Sequence, residues 1–270
     1  MDLETGTNEL LAQLDEGIAW ISFNRPEKRN ALSDQLTPAL RAILLELEAD
    51  ARVRVIVITG VGKAFCAGGD VSGMGANKLV AKPSALESVR RLQHRQETLT
   101  LRLHELTKPT IAALPGPAVG AGLAIALACD LRISAQSAFV ATGYARIGLS
   151  GDYGVSWLMT QLIGTAKTRE LFFTGRRVAS AEALSLGLVN SVVPDAQLRE
   201  QTQTLARSIA AGPPLALSYM KENLNRAMTE DLRTCLALEA DRLIRCAATA
   251  DHKEAVDAFL TKRTPIFSGT

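Results

Sequence analysis

The chain has 270 residues, of which 47% are hydrophobic and 21% charged, a balance that fits one large globular domain or a domain with an appendage. A net charge of +2 and only 4% aromatic residues argue against a nucleic-acid-binding surface. The most apolar stretch, Val119 to Cys129, is too short and too interrupted by glycine to span a bilayer.

The start, Met1-Asp2-Leu3-Glu4-Thr5, lacks the basic region and apolar core of a signal peptide, so a cytoplasmic location is expected. Leu10 to Asp15 and Ile18 to Asn24, joined at Glu16-Gly17, read as a hairpin. Ser33 or Asp34 caps a helix in which Leu36, Leu40, Ile43, Leu44 and Leu47 keep helical spacing, with Pro38 tolerated near its start. A strand over Arg54 to Thr59 runs into a glycine-rich turn. Residues 72–83 have poor periodicity and read as a mobile loop. A long helix from about Ala85 to Leu106 follows, then strand Thr110 to Leu114, helix Gly120 to Cys129, strand Leu131 to Ala135 and a short strand near Phe139. Helices are expected over Val155–Ile163, Ala166–Thr174 and Ser180–Leu186, then strand Val189 to Val193. From Asp195 the pattern is all helical: Asp195–Ala211, Pro213–Ala227, Glu230–Ala248 and His252–Lys262. Periodicity alone gives an α/β unit with a helical tail.

Cys66, Cys129, Cys235 and Cys246 have neither zinc nor redox spacing and read as buried, reduced thiols. His94, His104 and His252 form no ligand pattern, so no metal is expected.

Two stretches carry most of the chemistry. Ala64-Phe65-Cys66-Ala67-Gly68-Gly69-Asp70 follows the strand ending at Thr59, and Pro115-Gly116-Pro117-Ala118-Val119-Gly120-Ala121-Gly122 follows Thr110–Leu114 and opens an apolar helix. Both are strand-then-turn units with almost no side chain, so backbone N–H groups can approach a ligand closely. The second lies at a helix start, where unpaired N–H groups favour negative charge. Two amides converging on one oxygen would form an oxyanion hole.

These turns and their flanks resemble the crotonase, or enoyl-CoA hydratase/isomerase, superfamily over nearly the whole chain. The resemblance begins at Ile21-Ser22-Phe23-Asn24-Arg25-Pro26-Glu27-Lys28-Arg29-Asn30-Ala31-Leu32, continues through Phe172-Phe173-Thr174-Gly175-Arg176-Arg177 and ends at Ala258-Phe259-Leu260-Thr261-Lys262-Arg263. It implies a spiral β-β-α acyl-CoA-binding core over residues 1–195 and a helical trimerisation region over 196–270. It implies a homotrimer or a dimer of trimers, with no cofactor, coenzyme A being part of the substrate. It places the thioester carbonyl between the N–H groups of Gly69 and Ala121. Many relatives have glycine at the second position; alanine keeps the N–H. It assigns Glu27, Lys28, Arg29, Ala67, Asp70, Phe259 and Lys262 to coenzyme A, and residues 72–98 to the acyl pocket.

The best-known hydratases of this family use two glutamates. At the matching positions this chain has Ala124 and Tyr144, both read as substrate-pocket residues, so nothing there activates water. A third position carries Asp152, which either caps the following helix or, by resemblance to the branch that isomerises the ring epoxide of phenylacetyl-CoA, acts as acid/base. The isomerase branch also shares Gly-Ala-Gly at the second turn. A dehalogenase branch makes the same aspartate a nucleophile but needs a histidine where this chain has Glu97, with His94 a turn away. Isomerisation of an enoyl-CoA or related acyl-CoA is therefore expected. Hydration through Asp152, a nucleophilic Asp152 and a non-enzymatic acyl-CoA-binding protein remain the alternatives. Asp70 and Asp130 read as structural.

Overall fold

β1 (Asp2–Leu3) pairs antiparallel with β2 (Leu10–Asp15), and β2 with β3 (Ile18–Phe23) across Glu16-Gly17. Both turn residues have positive φ, 47° and 77°, as a two-residue type I′ hairpin requires. α1 (Leu36–Ala49) is started by Ser33 rather than Asp34: Ser33 Oγ accepts from the Leu36 N–H at 2.9 Å and the Gln35 N–H at 3.2 Å. β4 (Val55–Gly60) then lies parallel to β3, Ile18 opposite Val55.

The structure, a computed structural model, describes residues 1–70 and 84–270. The expected loop at 72–83, and the part of the expected acyl-pocket segment before residue 84, lie outside the described residues.

The long helix expected from Ala85 is divided. α2 (Ala85–Gln96), capped by Ser84, passes through a π-helical turn at Glu97–Leu101 into α3 (Arg102–Glu105). β5 (Thr110–Leu114) adds to β4, and after β6 (Ala118–Val119) and α4 (Ala121–Ala128), β7 (Leu131–Ala135) adds to β5. β8 (Phe139–Ala141) precedes α5 (Val155–Thr174), whose two expected halves join at Gly164, held at φ 72° and outside helical geometry. β9 (Val178–Ala179), α6 (Ser180–Leu186) and β10 (Ser191–Val193) complete the sheets, and β10 is shorter than the expected strand from Val189.

The main sheet has the order β1-β2-β3-β4-β5-β7-β10, parallel from β3 onward; β6, β8 and β9 form a second, small sheet. Strands buried on both faces explain the unbroken apolar runs of β3, β4 and β5. Ile21, Ile56, Ile58 and Leu114 pack with α1 and α4 in one cluster. Trp20, Val55, Val57 and Ile111 pack on the other face with Leu198 and Ala206 of α7 (Leu198–Ala210). The first helix of the C-terminal region thus covers the sheet.

α8 (Pro214–Arg226), α9 (Leu232–Ala247) and α10 (Ala250–Thr261) follow. Several of their large apolar side chains are not buried by the core: Leu232 is 74% exposed, Leu243 69%, Ile244 70% and Phe259 84%. The C-terminal residues fold back onto α10, where buried Asp251 accepts from the N–H groups of Ser268 at 2.7 Å and Gly269 at 3.0 Å. Among the described residues, no helix is long and apolar enough to cross a membrane.

Candidate active site

The two glycine-rich turns lie against each other. The N–H groups of Phe65 and Cys66 donate to Pro117 O, both at 3.1 Å, and the Val119 N–H returns a bond to Cys66 O at 2.9 Å. Gly122 makes this approach possible: a Cβ there would fall 2.7 Å from Cys66 Cβ and 2.8 Å from its Sγ. Gly68, at φ 93°, has the same function from the other side, since its Cβ would lie 2.9 Å from Val119 O and 3.7 Å from the Ala121 nitrogen. The Gly68-Gly69 turn is therefore beside the first residue of α4. Neither the Gly69 nor the Ala121 N–H donates to an acceptor among the described residues. Two neighbouring donors, one at a helix N-terminus, are suited to a carbonyl oxygen that gains negative charge.

A second layer ties the Pro26–Lys28 turn of 3-10 helix to the first glycine turn. The Ala67 N–H donates to Arg29 O at 3.0 Å, the Leu32 N–H to Gly68 O at 2.8 Å and the Asp70 N–H to Leu32 O at 3.1 Å. Fully buried Asn30 fixes the geometry. Its Oδ1 accepts from the Arg25 N–H at 2.8 Å, and its Nδ2 donates to Ala64 O at 2.7 Å and Val61 O at 3.1 Å. Arg25 binds Ala31 O and forms ion pairs with Glu9 and Asp70, each at 3.2 Å. Arg29, Ala67 and Asp70 are thus brought together at the first glycine turn, with Glu27 and Lys28 in the short helical turn that precedes Arg29; all three charged residues of the 27–29 segment are exposed. Phe259 and Lys262 lie at the end of α10, both exposed, and no hydrogen bond or ion pair links them to that group among the described residues. Neither Asn30 nor Arg25 stood out as a site residue in the sequence. The only trace is Asn at a left-handed position (φ 57°), which asparagine tolerates better than most residues.

Asp152 does not cap α5. The N-cap position is Gly154, and no side chain bonds the helix start. The Asp152 carboxylate instead accepts the Tyr144 hydroxyl at 2.6 Å. Tyr144 is buried, lies stacked on Phe172 at 6.1 Å, and has ring atoms 3.8 Å from where a Cβ on Gly120 would sit. This places the pair next to the Gly120-Ala121 turn. Burial raises the Asp152 pKa, and the Tyr144 hydrogen bond partly opposes the rise. Burial, then the Asp152 charge, pushes the Tyr144 hydroxyl well above its ordinary value, so it stays a proton donor.

The remaining candidates divide clearly. Ala124 is fully buried in α4. Glu97 accepts from Gln93 at 2.8 Å and borders an apolar cleft of about 240 Å3 with Thr100, Leu101, His104, Tyr153 and Trp157. Asp130 is structural, its Oδ2 accepting from the Thr110 N–H, the Thr110 hydroxyl and Lys221 at 2.7–2.9 Å. Burial pushes the thiols of Cys66 and Cys129 up to about 12, which makes them inert.

Comparison with known proteins shows the family of the chain. A family model described as enoyl-CoA hydratase/isomerase matches residues 13–270. The 1,2-epoxyphenylacetyl-CoA isomerase of Escherichia coli K12 is 35% identical over 260 residues, covering 96% of this chain and 98% of that protein. The short-chain-enoyl-CoA hydratase of Clostridium acetobutylicum is 32% identical, covering 95% and 96%. The crystal structure of an enoyl-CoA hydratase from Bacillus anthracis superposes with a TM-score of 0.90 at 33% identity, covering 97% of this chain and 100% of that one.

Proposed function

This chain belongs to the enoyl-CoA hydratase/isomerase (crotonase) family, and on that premise we propose that it isomerises an enoyl-CoA or related acyl-CoA by moving a proton along the acyl chain. The observation that carries this reading is the Asp152 carboxylate: it leaves the helix uncapped, has a raised pKa, and is held by Tyr144 beside the Ala121 turn.

The thioester carbonyl accepts from the Gly69 and Ala121 N–H groups. That polarisation acidifies the α- or γ-carbon. Asp152 takes the proton: the C–H bond breaks, an O–H bond forms on the carboxyl group, and the electron pair moves to the thioester oxygen as an enolate. The carboxyl proton exchanges with solvent, Asp152 then returns a proton at another carbon, and the carbonyl re-forms. A carboxylate whose pKa is shifted upward by burial is a better match for this transfer than a solvated one. Tyr144 acts through Asp152 as a positioning residue. Hydration is disfavoured because Ala124 and Tyr144 replace the carboxylates that would activate water.

Coenzyme A is assigned to Glu27, Lys28, Arg29, Ala67 and Asp70, with Phe259 and Lys262 reaching it from the C-terminal end. The exposed apolar residues of α9 and α10 are covered by other copies in a trimer or dimer of trimers. Residues 1–195 serve as the acyl-CoA-binding core and 196–270 as the assembly region. The unpaired cysteines suit a reducing cytoplasm.

Incubation with aliphatic and aromatic acyl-CoAs in deuterated water, read by mass spectrometry, tests the reaction. Deuterium without added oxygen is the expected result. A gain of one water would mean hydration, and free coenzyme A hydrolysis. In heavy-oxygen water, label in the Asp152 carboxylate would make it a nucleophile and overturn the assignment.

A further inference from the structure

Two clefts meet at one pair of side chains. The first, of about 240 Å3, runs between the π-helical turn and the start of α5, and opens at Tyr153, the neighbour of Asp152. Its walls are mostly apolar. The second, of about 520 Å3, lies beside α8 and has charged walls that include Lys221, Glu222 and Arg226. Leu101, His104 and Trp157 border both.

His104 and Trp157 meet edge to face, with ring centroids 5.6 Å apart and planes at 78°. Burial, with Lys221 nearby, lowers the His104 pKa, so its ring is neutral at pH 7 and compatible with an apolar wall. The backbone is held as well: Asn225 Nδ2 donates to His104 O at 2.9 Å, which ties α3 to α8. Trp157 is in the first turn of α5, anchored by the same helix start that follows Asp152.

Tyr153 and Gly154, which directly follow Asp152, are walls of the first cleft, so an acyl group that enters it there is bounded by this pair. An apolar cavity of about 150 Å3 accepts benzene, so the first cleft has room for a ring or for roughly eight chain carbons. Beyond the pair the walls mix charged side chains with apolar ones, unlike the mostly apolar first cleft. Resting on the reading that Asp152 acts on an acyl-CoA, we propose that His104 and Trp157 form the end wall of the acyl cleft and set the longest acyl group the enzyme accepts. The substrate class is an apolar acyl group of ring size or medium chain length.

The test is calorimetric binding of a saturated series from butyryl- through octanoyl- to lauroyl-CoA to wild type, Trp157→Ala, His104→Ala and Trp157→Phe, with thermal melts to verify folding. Wild-type affinity should rise to octanoyl-CoA and fall at lauroyl-CoA. In Trp157→Ala the affinity for lauroyl- relative to butyryl-CoA should rise at least ~10-fold, the scale of one methylene gained in an apolar pocket, and Trp157→Phe should keep most of the limit. His104→Ala gives the same reading if Trp157→Ala does not fold. An unchanged chain-length profile in the folded alanine variants overturns the wall, as does wild-type binding of lauroyl-CoA as tight as octanoyl-CoA. Binding requires no turnover, so failure of the proposed reaction would show separately, as absence of deuterium from every product.

Discussion

The Tyr144 hydroxyl donates to Asp152 Oδ1 at 2.6 Å, although the two residues belong to different turns on either side of Gly148. The carboxylate that could have capped α5 is held by the Tyr144 hydroxyl instead. Tyr144 thus holds an acid in place through its hydroxyl.

Tyr144→Phe should move the acid limb of the pH profile. Burial already places Asp152 above its ordinary 3.8, and the Tyr144 bond is the opposing influence. A base works only when ionised, so kcat/KM falls as pH drops through its pKa. Loss of the hydroxyl should shift that limb to higher pH. A limb that stays in place would mean that another group titrates.

Gly122→Ala and Gly69→Ala should separate packing from backbone presentation. A Cβ at Gly122 meets Cys66, while one at Gly69 meets nothing within 4 Å. Gly122→Ala should cost about 1–3 kcal/mol of stability through overpacking and push the two turns apart, with loss of turnover. Gly69→Ala should melt close to wild type. Equal melting temperatures for the two variants would contradict the close approach of the turns.

Asn30→Ala should weaken both the fold and the coenzyme A site. It removes three hydrogen bonds, one inside the Arg25–Ala31 segment and two that join that segment to Val61 and Ala64, where the chain enters the first glycine turn. Each buried group left unpaired costs about 1–3 kcal/mol. Urea unfolding should show that loss, and calorimetry should show weaker binding of free coenzyme A. Unchanged affinity in the folded variant would mean that this segment does not line the coenzyme A groove.

Much of this was legible in the sequence. Glu16-Gly17 announced the hairpin, the leucine spacing announced α1, and the two glycine turns announced their own N–H groups. Other features depend on partners distant in sequence. The Asn30 bonds reach Val61 and Ala64, which no local pattern reveals. β6 and β9, two residues each, are too short for any periodicity. The cap reading of Asp152 fails because Gly151, Tyr153 and Gly154 all take positive φ, which rotates the carboxylate away from the helix start. Glycine permits that path, but Tyr153 gives no sign of it in the sequence. The π-helical turn at Glu97–Leu101 is likewise set by packing, with Leu99 and Thr100 buried beneath it.

Assembly should be visible in solution. Leu232, Leu243 and Ile244 are each about 70% exposed on one chain, more apolar surface than an isolated protomer tolerates well. Sedimentation at micromolar concentration should give a trimer or its dimer, and Leu243→Glu should dissociate it. A wild-type species of 28.9 kDa would contradict this.

The most direct measurement is the rate of deuterium uptake into a bound acyl-CoA by Asp152→Asn against wild type. Asparagine preserves the shape of the side chain and can still accept from Tyr144. A carboxylate whose pKa is raised on folding stabilises the fold below its unfolded pKa and loses that contribution as pH rises through the folded value, so at pH 7 the variant should melt no lower than wild type. The account predicts a folded protein that binds acyl-CoA and exchanges at least ~10²-fold more slowly, the scale of a positioned acid/base. Exchange at the wild-type rate in that folded variant would contradict it.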